Sequence, residues 1–254
     1  MSRRAAAMAA GLALFLGVWE LFVRVAHVRP FVLRAPSNAL AHLWKFRGAY
    51  GRATWVTVQH AVIGLALALV VGVLVGALLS MSRLAEHASQ PVLVLVQVTP
   101  WFAYVGSVVL WLGSGTPPAL FMVALVCLPA FAFATVDGMR GADAAAVELF
   151  ESVDARRWET LWRLRLPSAA PTIFTSARFN WGLALAASYY VEGANFSSEG
   201  LGAIGRAAAA QNEADALWGA VFATAALGLL GLFGLSVLQR LVLRWHVSQR
   251  SRTL

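Results

Sequence analysis

The chain has 254 residues, enough for one domain and short for two globular ones, with 59% hydrophobic and only 13% charged residues. Soluble domains carry about a quarter charged residues, so this chain cannot cover a water-facing surface. The composition therefore excludes a soluble enzyme or a disordered regulator and predicts an integral membrane protein. The net charge of +8 comes almost wholly from arginine, with Lys45 the single lysine. Arginines that flank apolar runs meet lipid headgroups and the cytoplasm, so this basicity points to membrane lipid and not to nucleic acid. The one cysteine, Cys127, rules out an intrachain disulfide and a cysteine-built metal site, and no other metal-ligand spacing stands out.

The chain opens MSRRAAAMAAGLALFLGVWELFVRV. Its front is charged like a signal peptide, but the apolar run is too long and lacks a clean small-residue cleavage site, which predicts a retained anchor. A helix crossing a hydrocarbon layer of ~30 Å needs about 20 apolar residues. Six segments qualify, near 5–26, 55–80, 91–112, 118–136, 172–191 and 218–243. All are expected as helices, because a helix satisfies its own backbone groups in lipid. In the first, Glu20 and Arg24 stand one helical turn apart and are expected to pair.

Between the first two spans, Leu40, Leu43, Trp44 and Phe46 alternate with Lys45 and Arg47, the pattern of a helix lying in the interface. Gly64, Gly72 and Gly76 in the second span predict close helix packing, with His60 and Gln59 as packed polar groups. In the third, Gln97, Thr99, Pro100, Trp101 and Tyr104 cluster around a proline-broken helix, and such breaks line cavities. Residues 113–117, GSGTP, form a tight turn, and 192–217 a mixed loop.

Residues 137–170 are the long polar insertion. They read as two short helices, an alanine-rich one near 142–153 and an amphipathic one near 155–166. In the second, Trp158, Leu161 and Trp162 oppose Arg156, Arg157, Glu159 and Arg163, and Pro167 and Pro171 are expected to end it. Such an elbow between two spans suits docking of a partner. Arg3, Arg4, Arg83, Arg140, Arg156, Arg157, Arg163, Arg165, Arg240, Arg244, Arg250 and Arg252 fall on one side if both termini are inside, which sets the orientation as N-in and C-in. On the fifth span Arg178, Gly182, Leu185, Tyr189 and Glu192 share one face at helical spacing. Arg178 and Glu192, 14 residues and about 21 Å apart along the axis, cannot pair.

The insertion resembles the EAA loop of binding-protein-dependent ABC transporter permeases, and VELFESVDARRWETLWRLRLPSAAP aligns with it without gaps. Glu148 takes the place of the family's Glu, Leu149 and Phe150 replace its two alanines, and Asp154 replaces its Gly. Arg157, Trp158 and the Leu166-Pro167 pair match. The resemblance runs from about 34 to 246 and is strongest to the sulfonate, taurine and nitrate branch, through APSNALAHLW, MSR at 81–83, VTPWFAYVGSVVLWLG, TSARFNWGLALAASYYVEG and LVLRWH.

It implies an all-α integral membrane protein of six transmembrane helices with a cytoplasmic coupling-helix elbow between spans four and five. The implied layout is an N-terminal transmembrane helix at 1–33, a permease domain at 34–246 with its EAA-type loop at 141–167, and a cytoplasmic tail at 247–254. The implied function is the permease subunit of an importer in the bacterial cytoplasmic (inner) membrane, taking a small solute such as a sulfonate, taurine or nitrate.

Glu148, Leu149, Phe150, Asp154, Arg157 and Trp158 would then couple to the ATPase, with Asp154 capping the second short helix. Trp101, Tyr104, Arg178, Asn180, Ser188, Tyr189 and Glu192 are the candidates for the solute pathway. No phosphate-binding G-x-x-x-x-G-K-[ST] occurs, so the chain is not itself an enzyme and carries no cofactor. ATP and Mg belong on separate ABC ATPase subunits. A second permease chain, as a homodimer or alternatively a heterodimer, and an external solute-binding protein complete the expected partners. The competing readings are an ATPase-independent secondary carrier or channel, and an intramembrane hydrolase using Ser188 or Ser107 with His60.

Overall fold

In the computed structural model, residues 3–30, 32–194 and 199–244 are described, and among them all regular structure is helical. The tail at 247–254, with Arg250 and Arg252, and His246 of LVLRWH lie outside the described residues. Helix α1 (Arg3–Val25) leads to a short α2 (Pro36–Lys45), then to α3 (Arg47–Ser80) and α4 (Arg83–Val98). A 3₁₀ turn at Trp101–Tyr104 precedes α5 (Val105–Leu112) and α6 (Thr116–Arg140). The polar insertion forms α7 (Ala144–Ser152) and α8 (Arg157–Thr160); a π-helical stretch, Leu161–Arg165, then feeds α9 (Leu166–Ala194). Helices α10 (Leu201–Ala210) and α11 (Ala214–Val242) follow.

Among the described residues four helices, α1, α3, α6 and α11, are long and apolar enough to cross a membrane, and α4 with the segment after it forms a fifth crossing if the bent pair counts as one. The third expected span is therefore not one straight helix. It breaks at Thr99–Pro100 and turns by 80°, because Pro100 has no N–H to continue the ladder and its ring restricts Thr99 to extended backbone. Helix α9 is long enough at 29 residues but less apolar. It lies centrally, against α3, α6, α10 and α11, so several of its side chains meet protein in place of lipid. The second span begins earlier than expected, at Arg47, and its 34 residues extend about 51 Å. The 192–217 region, expected as loop, contains α10, which packs on α9.

The core joins α3, α6, α9 and α11 around Tyr50, Phe131, Trp181 and Leu185. Its two large polar rings are satisfied: Trp181 Nε1 donates to Gly228 O at 3.1 Å and Tyr50 Oη to Ala216 O at 3.0 Å. The small-residue pattern of α3 does what its spacing predicts. A Cβ on Gly64 would lie 2.6 Å from Val123 Cβ, and on Gly72 2.6 Å from Phe131 Cβ. On Gly76 it would lie 2.6 Å from the Ala132 carbonyl. Close approach through such residues lets packing hold helices together where lipid gives no hydrophobic drive. Gly72→Val should therefore force α3 and α6 apart at a cost of about 1–3 kcal/mol. A lowered unfolding temperature of the detergent-purified chain, with Gly11→Val in the open α1 as an unaffected control, checks this.

Outside the core, α2 carries its expected aromatic-basic edge: Lys45 lies 5.3 Å over the Phe46 ring and Arg47 5.2 Å over Trp44. Glu20 pairs with Arg24 as anticipated and also accepts from Ser37 N at 3.0 Å. Arg34, before α2, forms a two-pronged pair with Asp215 in the first turn of α11. The hydrogen bond to that carboxylate is the main reason the Arg34 pKa rises above the ordinary guanidinium value.

Candidate functional site

The insertion folds as an elbow whose turn is built by backbone chemistry. Asp143 Oδ1 accepts from Ala145 N at 3.0 Å and starts α7. The helix ends where Asp154 N donates to Glu151 O at 3.1 Å and Ala155 N to Phe150 O at 3.0 Å. Asp154 has φ +49°. This is a Schellman stop with a left-handed residue where glycine is usual. The family's Gly at this position thus has a local reason: it removes the Cβ penalty of that backbone. Asp154 does not cap the second helix, contrary to expectation. That helix begins after Arg156, whose N–H is taken by Glu159 Oε2 at 3.2 Å.

The prolines also act differently. Pro167 and Pro171 do not end the second helix, which runs on through the π turn into α9. Pro167 offers no N–H to Arg163 and clashes with an ideal α turn, and the wider π turn lies immediately before it. Leu161 anchors the elbow against Met139 and Ala169 in a small separate core.

Outward, the elbow is apolar and uncovered. Helix α7 buries no residue. Leu149 is 62% exposed, Val153 67% and Trp158 62%. Glu148, Asp154 and Arg157 are exposed beside them, and Phe150 is half-buried. Trp158 and Trp162 meet edge to face at 5.3 Å. Of the six residues predicted from sequence to couple, all but Phe150 are thus exposed on α7, the turn and α8.

The opposite end of the bundle holds a polar cluster that sequence reasoning did not assemble. Glu192, buried near the end of α9, accepts from Thr57 Oγ1 at 2.8 Å and Gly202 N at 3.1 Å, and lies 2.9 Å from His60 Nδ1. Thr57 Oγ1 in turn accepts from Leu201 N at 2.9 Å, and His60 Nε2 lies 3.3 Å from Thr116 Oγ1. Two side chains from other helices thus supply the N-terminal cap that α10 lacks in its own sequence. The chain comes close enough because Gly200, at φ +95°, has its Cβ position 2.3 Å from Glu192 Cδ. A Cβ on Gly202 would lie 1.8 Å from Tyr189 O. The G-x-G-x-x-G spacing at 200–205, preceded by a Glu at the end of the fifth expected span, was the signal available. Both nitrogens of His60 are engaged here, and Ser188 and Ser107 take no part, so a serine–histidine dyad is not formed.

The seven pathway candidates separate. Trp101 and Tyr104 sit on the 3₁₀ turn after the break, and Trp101 contacts the Tyr190 ring at 5.5 Å. Tyr189 is half-buried against Gly205, and Arg178 is exposed. Asn180, Ser188 and Glu192 are enclosed. Arg178 and Gly182 therefore do not share the buried face of Leu185 and Glu192, because α9 is surrounded on that side and open on the other. Asn180 Oδ1 and Ser188 Oγ have no hydrogen-bond partner among the described residues.

Comparison with known proteins gives this geometry its context. Over 235 residues the chain is 27% identical to the formylaminopyrimidine transport permease protein ThiX of Halalkalibacterium halodurans, covering 91% of this chain and 92% of that one. It is 24% identical to the taurine transport system permease protein TauC of Escherichia coli, over 97% and 92% of the two chains. To the riboflavin transport system permease protein RibX of Chloroflexus aurantiacus it is 30% identical, over 93% and 89%. Its fold is similar to a chain of the inward-facing MetNI methionine ABC transporter, with a TM-score of 0.68, 18% identity, and coverage of 78% of this chain and 98% of that one. Residues 68–246 match the family described as binding-protein-dependent transport system inner membrane component. The chain belongs to that family: it is a multi-pass inner-membrane permease subunit of an ABC importer.

Proposed function

We propose that the 141–167 elbow is the handle by which separate ATPase subunits drive this permease, and that the chain crosses the membrane six times with both termini on the elbow side, in the cytoplasm. The observation that carries this is the uncovered apolar projection of Leu149, Val153 and Trp158, stiffened by the Schellman turn and tied through the π stretch to α9. A two-turn helix with no fully buried residue gains much of its stability from what it docks into. ATP and Mg are held by the partner. Closure of two ATPases brings two elbows together, and rigid rotation of the spans exchanges inward for outward access.

Arg178 supports a second permease chain, with a copy of this one the simplest assembly. An arginine part way along a membrane helix costs about 2.5–3.5 kcal/mol against lipid, so its exposed face is better matched by a neighbouring chain or a wet path. Solute contact is assigned to Trp101, Tyr104, Arg178 and Tyr189, which keep exposed surface. Asn180, Ser188 and Glu192 serve helix contacts in the state described. The solute is a small molecule delivered by an external binding protein; the similar permeases named for taurine and for formylaminopyrimidine transport support sulfonates and heterocyclic precursors as the classes to test first.

The test is reconstitution. The purified chain alone is expected to hydrolyse no ATP, whereas addition of its ATPase and loaded binding protein gives solute-stimulated hydrolysis and uptake. Solute uptake by the chain alone, driven by a gradient, would overturn the proposal in favour of a carrier.

A further inference from the structure

On the elbow side, the start of α4, the end of α6, the base of α7 and the π stretch line an open-sided cavity of about 530 Å³. Four of its lining groups are basic: Arg83, His87, Arg140 and Arg165. No carboxylate is among the lining groups; Glu86, one helical turn from Arg83 on α4, is buried and bonded to Arg140. Glu151 borders an adjoining cavity that Arg165 also reaches. Among the described residues neither Arg83 nor Arg165 forms an ion pair. Arg83 and Arg140 are exposed and Arg165 half-buried on this wall, and the planar donor forks of guanidiniums converging on one cavity match phosphate oxygens. The cavity lies where the apolar helices α3 and α6 end, at Ser80 and Arg140, and basic pockets between the ends of membrane helices hold anionic headgroups.

We propose that this cavity is a phosphate-binding site, filled by the headgroup of an anionic phospholipid or by a soluble phosphate on the elbow side. Ala142 and Val147 form part of its wall, so a bound phosphate bridges the base of α7 to α4 and α6. The ligand thereby braces the elbow against the spans it moves.

The full chain, purified in neutral detergent, is titrated with phosphatidylglycerol and followed by native mass spectrometry. The double variant Arg83→Gln/Arg165→Gln is expected to weaken retention of one lipid about tenfold or more. Arg83→Lys/Arg165→Lys should keep part of it, and Arg240→Gln, a basic residue outside the cavity, should leave it unchanged. Excess inorganic phosphate distinguishes the sources: displacement of the lipid identifies a site open to soluble phosphate, and undisturbed retention identifies the lipid headgroup. Equal lipid retention and no phosphate effect in wild type and the glutamine variant, or equal losses in Arg240→Gln, overturn the proposal. The readout needs neither ATPase nor transport, so it stands or falls apart from the coupling role of the elbow.

Discussion

Glu148→Arg is expected to lower ATP-driven uptake about 30-fold or more while the chain still inserts and purifies as a folded protein. Glu148 is exposed on α7, beside the uncovered Leu149. No ion pair within the described chain uses it, so reversing it removes nothing the permease needs for its own fold. Within a docked interface the same change opposes a charge at a desolvated contact, and losing such a pair costs about 2–5 kcal/mol.

Deleting 154–158 should abolish uptake altogether. A finer test uses Asp154, whose left-handed backbone glycine adopts without a Cβ penalty. Asp154→Gly should keep coupling and tighten the turn, and Asp154→Ile should loosen it. Co-purification of the ATPase with each variant, read beside vesicle uptake, separates docking from insertion. Wild-type uptake in Glu148→Arg and in the deletion would remove the elbow from the mechanism.

Glu192→Ala is expected to be the most damaging single change for stability. The carboxylate is enclosed and serves Thr57, His60 and Gly202 at once. Removing it orphans buried donors, each at about 1–3 kcal/mol, and releases the start of α10. Glu192→Gln should fall between, since its amide oxygen can still accept from Gly202 N while its NH₂ cannot serve as a second acceptor. Thermal unfolding of the purified chain measures the order wild type, Gln, Ala. Protease cleavage near Leu201 reports α10 coming loose. If Ala and wild type unfold at the same temperature, the cluster is not what holds together the end of the bundle away from α7 and α8.

Membrane residence, helix type, the glycine contact face of α3, the break at Pro100 and the short helices of the polar insertion were legible from residue order. Each is a local property: hydropathy over a span's length, proline's missing N–H, small residues at helical spacing, or a motif within one loop. The Glu20–Arg24 pair was legible for the same reason, one turn of one helix. What the linear order could not give are the partnerships across long separations. Glu192 with Thr57, Arg34 with Asp215 and Glu86 with Arg140 each join residues more than 50 positions apart. Periodicity placed Arg178 and Glu192 on one face of α9, but which arc is buried depends on the helices around it. The same holds for the turn at Asp154, where an N-cap and a left-handed stop are both natural roles for Asp and only the path of the following chain selects between them. Burial and long-range hydrogen bonding are sums over neighbours that the chain acquires only once its helices have packed.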